Sequence, residues 1–236
     1  MSLLKLPCIL AATIGLYHSF TPPNVSKKSE QTSRKNILEH IAFAARSVTR
    51  PLGLLVWIVG ITEAMVIVAN HFPSWSLSEP IIATLLVRNN PMDLQLTPLS
   101  IIGLLLIMSG TLIREYCYRS LSYLFTFEIS IRKGHRLITN GPYRVVRHPS
   151  YTGMVFVLIG MFCWCISRGS WLRESGVLET TGGKVFFGSV GMLLMVVLSG
   201  LLRRMSVEDA ALKKEFGKEW TEWSRRVPYS LIPRVY

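Results

Sequence analysis

Two polar stretches of this chain carry side chains suited to holding a charged ligand. The first is 135–153, His135-Arg136-Leu137-Ile138-Thr139-Asn140-Gly141-Pro142-Tyr143-Arg144-Val145-Val146-Arg147-His148-Pro149-Ser150-Tyr151-Thr152-Gly153. Gly141-Pro142 marks a turn. Pro149 suits the first position of a helix, where a missing N–H is no loss, and it pushes His148 out of the helical region. The result is a helix N-terminus with open N–H groups and the positive end of the helix dipole, framed by Arg144, Arg147 and His148. Such an end is a place for an anion. The same residues could simply anchor a helix among lipid headgroups, and spacing alone does not separate the two.

The second stretch, 201–223, contains Arg203, Arg204, Ser206, Glu208, Asp209, Phe216, Gly217, Trp220 and Trp223. Ser206 with Asp209 three residues on suits a capping box that opens a new helix, unless the preceding helix simply runs on. Phe216-Gly217 reads as a helix end. Arg204 and Glu208 stand four apart and share a face, a spacing that fits either a surface ion pair or a binding site. Glu63 is a third candidate, because an acid deep in an apolar run is costly in lipid unless it is paired or functional. The sequence names no partner for it.

The elements that must position these groups follow from composition. Of 236 residues half are apolar and only 17% are charged, well below the share of a soluble domain. The disordered, collagenous and disulfide-stapled classes are excluded by the apolar content, the aperiodic glycines and the small number of cysteines. Five segments are apolar enough to cross a membrane: 4–20, 52–70, 99–117, 151–166 and 185–202. The first begins with a single basic residue, Lys5, and its Ala11-Ala12 lies inside the apolar run, so it reads as a span and not as a cleaved leader. The residues 21–34, with Pro22-Pro23 and many Ser, Thr and Lys, read as a connector.

There are 26 Lys and Arg against 14 Asp and Glu, a net charge of +12. The basic residues sit between the apolar runs and follow no single face, which excludes a nucleic-acid binder and points to loops on the positive side of a membrane. Residues 21–50 hold six, 71–98 hold only Arg88, 118–150 hold six, 167–184 hold three and 203–236 hold eight. This alternation predicts five spans, with the first and third loops and the C-terminal tail in the cytoplasm. Cys8, Cys117, Cys163 and Cys165 lie in or beside spans and behave as small apolar groups. No metal site is expected, since Cys163 and Cys165 are too closely spaced for a zinc pair and no His cluster accompanies them. No disulfide is expected either.

At the two polar stretches the sequence resembles the isoprenylcysteine carboxyl methyltransferase family. That family's pattern is a His-x-Leu-Val-like tetrad, a Gly-x-Tyr, an Arg-His-Pro-x-Tyr-x-Gly, and beyond the next span an Arg, paired acids and a Phe-Gly followed by aromatics. Here these read His135-Arg136-Leu137-Ile138, Gly141-Pro142-Tyr143, Arg147 through Gly153, then Arg204, Glu208-Asp209, Phe216-Gly217, Trp220 and Trp223. The resemblance covers roughly 128–233, and related phospholipid methyltransferases and sterol reductases share parts of the Arg-His-Pro-x-Tyr signature. Two departures are Asp209, where the family often has Glu, and Glu128, where a Gln is frequent seven residues before the tetrad.

The apolar runs make this an all-α integral membrane protein of about five transmembrane helices, and the resemblance places the methyltransferase function in its C-terminal half. Residues 1–127 would form a three-span region on the lipid and substrate side, and 128–236 a two-span methyltransferase region with a cytoplasmic helical cofactor-binding part. It implies a multi-pass enzyme of the endoplasmic reticulum membrane that takes S-adenosylmethionine from the cytoplasm and methylates the α-carboxylate of a C-terminal prenylated cysteine. Cofactor contacts carry over to His135, Arg136, Leu137, Ile138, Tyr143, His148, Pro149, Ser150, Tyr151 and Glu208, and the substrate contact to Arg204. Arg204 and Glu208 are the residues expected to serve the reaction. Alternatives are a methyltransferase acting on a lipid amine or a small terpenoid acid, an NADPH-dependent membrane reductase, and a non-catalytic membrane scaffold. The expected partners are a prenylated cysteine and membrane lipid, with neither nucleic acid nor metal.

Overall fold

The computed structural model describes residues 3–24, 37–87, 94–125 and 136–235, with the side chains of 37–48 and 50 outside that description. Among the described residues the chain is helical, without strands. In order the helices are α1 (Lys5–Phe20), α2 (Ile37–His71), α3 (Ser78–Leu85), α4 (Pro98–Leu121), α5 (Pro149–Ile166), α6 (Trp171–Glu174), α7 (Thr181–Phe216) and α8 (Lys218–Arg226). Among the described residues four stretches are long and apolar enough to cross a membrane: Pro51–His71 in α2, Pro98–Leu124, α5 and α7. Each coincides with an apolar run read from the sequence. The first run is α1, which at 16 residues spans about 24 Å and is shorter than the ~30 Å hydrocarbon core. Its Ile9, Ala12, Leu16 and Phe20 are buried in the main core with Val66, Ile67, Ile107 and Val157.

Local chemistry sets the helix ends. Thr97 and Ser100 form a reciprocal capping box ahead of Pro98: the Thr97 hydroxyl accepts from the Ser100 N–H, and the Ser100 hydroxyl oxygen accepts from the Thr97 N–H at 2.8 Å. Pro149 opens α5, as its position before an apolar run requires. The alternatives at Ser206 resolve in favour of continuity. α7 runs unbroken through it, and the Ser206 hydroxyl donates back to the Arg203 carbonyl. α7 ends at Gly217, whose φ of +51° is one that a residue with a Cβ adopts only with strain. With 36 residues α7 is about 54 Å long, so roughly the last ten to fifteen residues project beyond the hydrocarbon. Arg204, Glu208 and Asp209 ride on that projection.

α4 and α5 pack tightly as neighbours because of two glycine pairs spaced seven residues apart on each helix. A Cβ on Gly103 would lie 2.8 Å from the Gly160 carbonyl oxygen, and one on Gly110 would lie 2.5 Å from that of Gly153. The reverse distances are as short: 2.6 Å from Gly160 to the Gly103 carbonyl oxygen and 2.8 Å from Gly153 to that of Gly110. The early residue of one helix meets the late residue of the other, so the helices are antiparallel. In lipid, where no hydrophobic force brings helices together, small residues permit the close backbone approach that dispersion needs. Gly110→Ala should therefore cost about 1–3 kcal/mol through overpacking. On α7, by contrast, Gly182 has nothing within 4 Å of its Cβ position, so Gly182→Ala should be neutral or slightly stabilising. Thermal unfolding of both variants in detergent checks this, and equal melting temperatures would contradict the packing.

Glu63 acquires the partner that the sequence did not name. Its Oε1 lies 2.5 Å from Nζ of Lys5, and both side chains are almost fully buried. The Lys5 ammonium also donates to the Gly169 carbonyl at 2.5 Å and sits over the Trp164 ring at 5.6 Å, while Glu63 accepts from the Trp171 N–H at 3.3 Å. One ion pair thus joins the start of α1, the interior of α2, and the turn between α5 and α6.

Candidate functional site

At the opposite end of α1, the C-termini of α1 and α4, the N-terminus of α5 and the projecting part of α7 come together. Residues 136–140 approach without regular structure, with Arg136 exposed and Leu137 and Ile138 half-buried. His135 and Glu128 lie outside the described residues. The Gly-Pro pair forms a single helical turn, Gly141–Arg144, with Gly141 at φ +59°. This turn places Tyr143 against α4. Burial pushes the Tyr143 phenol well above its ordinary value, with the neighbouring Cys117 and the Glu208 carboxylate acting in the same direction. Tyr143 is consequently a neutral hydroxyl at any physiological pH.

His148 caps α5 at φ −123°, ψ 58°, outside the helical region as its place before proline dictates. It is 5% exposed, and its Nε2 lies 3.1 Å from Oδ1 of Asp209. Arg147 Nε lies 3.2 Å from the other carboxylate oxygen of the same Asp209. One turn into α5, the Tyr151 hydroxyl donates to Glu208 at 2.9 Å. The two adjacent acids of α7 are therefore each held by a different residue of the α5 start: Asp209 by Arg147 and His148, Glu208 by Tyr151. Arg204 is one turn back on α7, is 5% exposed, and lies close enough to Tyr151 for its charge to act on the phenol. The sequence candidates Tyr143, His148, Pro149, Ser150, Tyr151, Arg204 and Glu208 converge on this one region, although Tyr151 and Glu208 are 57 residues apart in the chain.

Ser150 has a partner that sequence reading missed. Arg114, buried in α4, donates through Nη1 to the Ser150 carbonyl at 3.1 Å and to its hydroxyl at 3.0 Å, and through Nη2 to the Tyr118 hydroxyl at 2.7 Å. A guanidinium below the first turn of α5 fixes where His148 and Tyr151 stand. The signal that could have found it is the one that singled out Glu63, an ionisable side chain inside an apolar run. Asp209 was legible as the capping partner of Ser206, a role that the unbroken α7 does not give it, and as the second of the paired acids. Its two cationic partners are a product of the fold.

The arrangement can hold a zwitterionic or mixed-charge ligand. The buried Arg204 and the start of α5 face anionic groups, Glu208 and Asp209 face cationic ones, and Tyr143 and Tyr151 present aromatic rings. No group of three or more His, Cys, Asp or Glu side chains is placed to hold a metal among the described residues. S-adenosylmethionine carries a carboxylate, an ammonium and a sulfonium, so this donor set fits it.

Residues 101–168 match the isoprenylcysteine carboxyl methyltransferase (ICMT) family. The match begins inside α4 and ends after α5, so it takes in Arg114, Tyr143 and the 147–153 stretch but not Arg204 or Glu208. Over 138 residues the chain is 30% identical to protein-S-isoprenylcysteine O-methyltransferase B of Arabidopsis thaliana, covering 56% of this chain and 58% of that protein. It is 29% identical over 141 residues to the Homo sapiens protein-S-isoprenylcysteine O-methyltransferase, covering 58% of this chain and 42% of the relative. A Delta(14)-sterol reductase of Methylotuvimicrobium alcaliphilum is 24% identical over 110 residues, or 46% of this chain and 21% of the reductase. The chain thus matches 58% or less of the length of each of these relatives. A multi-pass helical membrane protein by its apolar helices, this chain is similar over residues 101–168 to the isoprenylcysteine carboxyl methyltransferase family.

Proposed function

We propose that this protein transfers a methyl group from S-adenosylmethionine to the α-carboxylate of a C-terminal prenylated cysteine, at the cytoplasmic face of the endoplasmic reticulum membrane. The observation that carries the proposal is the meeting of His148 and Tyr151, at the start of α5, with Asp209 and Glu208 on α7, beside the buried Arg204. It supports a reading in which one ligand is gripped by both elements just outside the hydrocarbon. The names of the relatives support the substrate class.

When bound, S-adenosylmethionine supplies an electrophilic methyl group. The acceptor carboxylate is ionised at neutral pH, so no side chain has to remove a proton. The protein's work is positioning and exclusion of water. Arg204 would hold the acceptor carboxylate, Glu208 and His148 the polar groups of the methyl donor, and Tyr143, with His135, Arg136, Leu137, Ile138, Pro149, Ser150 and Tyr151, the rest of its surface. The prenyl chain would remain in lipid beside the spans, with 1–127 as the lipid-side region and 128–236 as the methyltransferase region. The orientation rests on the basic residues of 118–150 and 203–236, which share a face if the positive side is cytoplasmic.

The test is transfer of label from S-adenosylmethionine by purified protein in liposomes, offered a farnesylated cysteine analogue, phosphatidylethanolamine or a small terpenoid acid. Label appearing in a base-labile ester on the farnesylated cysteine is the expected result. Label on the lipid amine or on the terpenoid acid alone would replace the acceptor, and no transfer to any of them would remove the reading.

A further inference from the structure

The residues after α8 have no part in the proposed chemistry, yet they are tied to the start of α5 by five hydrogen bonds. The Arg147 N–H donates to the Tyr229 carbonyl and the His148 N–H to the Ser230 carbonyl, both at 2.9 Å. The Thr152 hydroxyl donates to the Leu231 carbonyl at 2.7 Å. The Arg147 guanidinium closes on the same segment, with Nη1 donating to the Pro228 carbonyl at 2.9 Å and Nη2 to the Ser230 hydroxyl at 2.8 Å. Just upstream, Trp223 is 3% exposed and donates through Nε1 to the Tyr143 carbonyl at 3.2 Å. Val227, which begins the segment, is buried too.

These bonds converge on the residues that grip Asp209. His148 and Arg147 are the two cationic or polar partners of that carboxylate, and the backbone N–H of each is occupied by the tail. His148 caps α5: its carbonyl accepts from the Tyr151 and Thr152 N–H groups at 3.0 and 3.2 Å, but its own N–H lies ahead of the helical ladder. Residues 229 and 230 supply acceptors for two N–H groups that the start of a helix leaves without an intrahelical partner. The Arg147 guanidinium thus donates two hydrogen bonds to the tail while its Nε edge stands in an ion pair with Asp209 of α7, and a planar guanidinium transmits the position of one to the other.

We propose that the segment 227–231 is a positioning strap for the site, with Arg147 and Ser230 as positioning residues that set where His148 and Asp209 stand. The proposal rests on the methyltransferase reading for its kinetic consequence and on the hydrogen bonds alone for its structural one. The strap contributes no group to the ligand. It fixes the backbone from which His148 projects, so its loss acts on the methyl-donor side of the site and leaves the prenyl-binding side untouched.

The experiment compares Ser230→Ala, Ser230→Thr and a chain ending after Arg226 with the full-length protein in liposomes. A control is Ile232→Ala, an exposed side chain just beyond the strap. Losing a hydrogen bond to a charged group should raise KM for S-adenosylmethionine about tenfold in Ser230→Ala, with kcat and KM for the farnesylated cysteine within about twofold of wild type, and Ser230→Thr should restore it. Amide hydrogen exchange provides the second readout and needs no activity: the chain ending after Arg226 should lose protection at Arg147 and His148 while the α4 and α5 interiors keep theirs. Unchanged KM in Ser230→Ala, equal effects on both substrates, or failure of threonine to rescue would overturn the kinetic role. Unchanged exchange at 147 and 148 in the truncated chain would overturn the strap itself. Absence of methyl transfer by the full-length protein would instead sink the methyltransferase reading and leave the exchange result to judge the strap.

Discussion

Replacing Arg204 by alanine is expected to cut turnover by about 10²–10³-fold, the usual cost of losing one preorganised charge at a reacting group, while leaving affinity for S-adenosylmethionine within a few fold of wild type. The expectation comes from where Arg204 sits. It is 5% exposed, one helical turn before Glu208, on the part of α7 that projects past the hydrocarbon. A solvent-screened ion pair at this spacing would contribute only about 0.3–0.5 kcal/mol, and losing either member would leave activity nearly intact. A buried guanidinium that holds the acceptor carboxylate behaves differently. Arg204→Lys should also be poor, because a point charge cannot replace a planar two-pronged grip.

Glu208 gives the contrasting result. Its carboxylate accepts from Tyr151, and in the proposed role it faces the methyl donor. Glu208→Ala should therefore weaken S-adenosylmethionine binding as well as turnover. Measuring turnover and calorimetric affinity for both variants in detergent or liposomes separates the roles. Near-wild-type turnover in Arg204→Ala would return this stretch to a surface helix with no part in the reaction.

The second large effect is on stability and concerns Lys5 and Glu63. Removing one member, in Lys5→Met or Glu63→Gln, leaves the other charge or its hydrogen-bonding partners stranded in the interior, which should cost about 3–5 kcal/mol. The double variant Lys5→Met with Glu63→Leu removes both charges and fills the space with apolar atoms, so it should recover much of that loss. Because Lys5 also binds the Gly169 carbonyl and Glu63 the Trp171 N–H, recovery should be incomplete. Thermal unfolding of the two single variants and the double in detergent measures the coupling. If the double variant were no more stable than the worse single one, the pair would not be acting as a unit. The loss is expected without a change in donor affinity at the other end of α1, since the ion pair and the 147–151 region share no side chain.

Much of this protein is legible in the sequence, and the reason is that the legible parts depend on local interactions. The apolar runs that became the span in α2, α4, α5 and α7 are set by length and composition, because a chain in lipid must satisfy its backbone internally. Pro149 fixed the start of α5 and Gly217 the end of α7 through their own backbone preferences. The side chains of 135–153 and 201–223 could be singled out because charged and polar types cluster there at spacings that suit a helix start and a single helix face, and because both stretches carry the resemblance.

What tertiary structure alone decided is which of those side chains meet. His148 and Asp209 are 61 residues apart, and Lys5 and Gly169 are 164 apart. No local periodicity encodes such pairings. They follow from the antiparallel docking of α4 on α5 through two glycine pairs, from the length by which α7 overshoots the membrane, and from a tail that returns to bind Arg147 and His148. Arg114 shows the limit best. Its position in an apolar run was visible in the sequence, but its bond to the first turn of α5 depends on the close approach that Gly110 and Gly153 permit, so its meaning existed only once the two helices were packed.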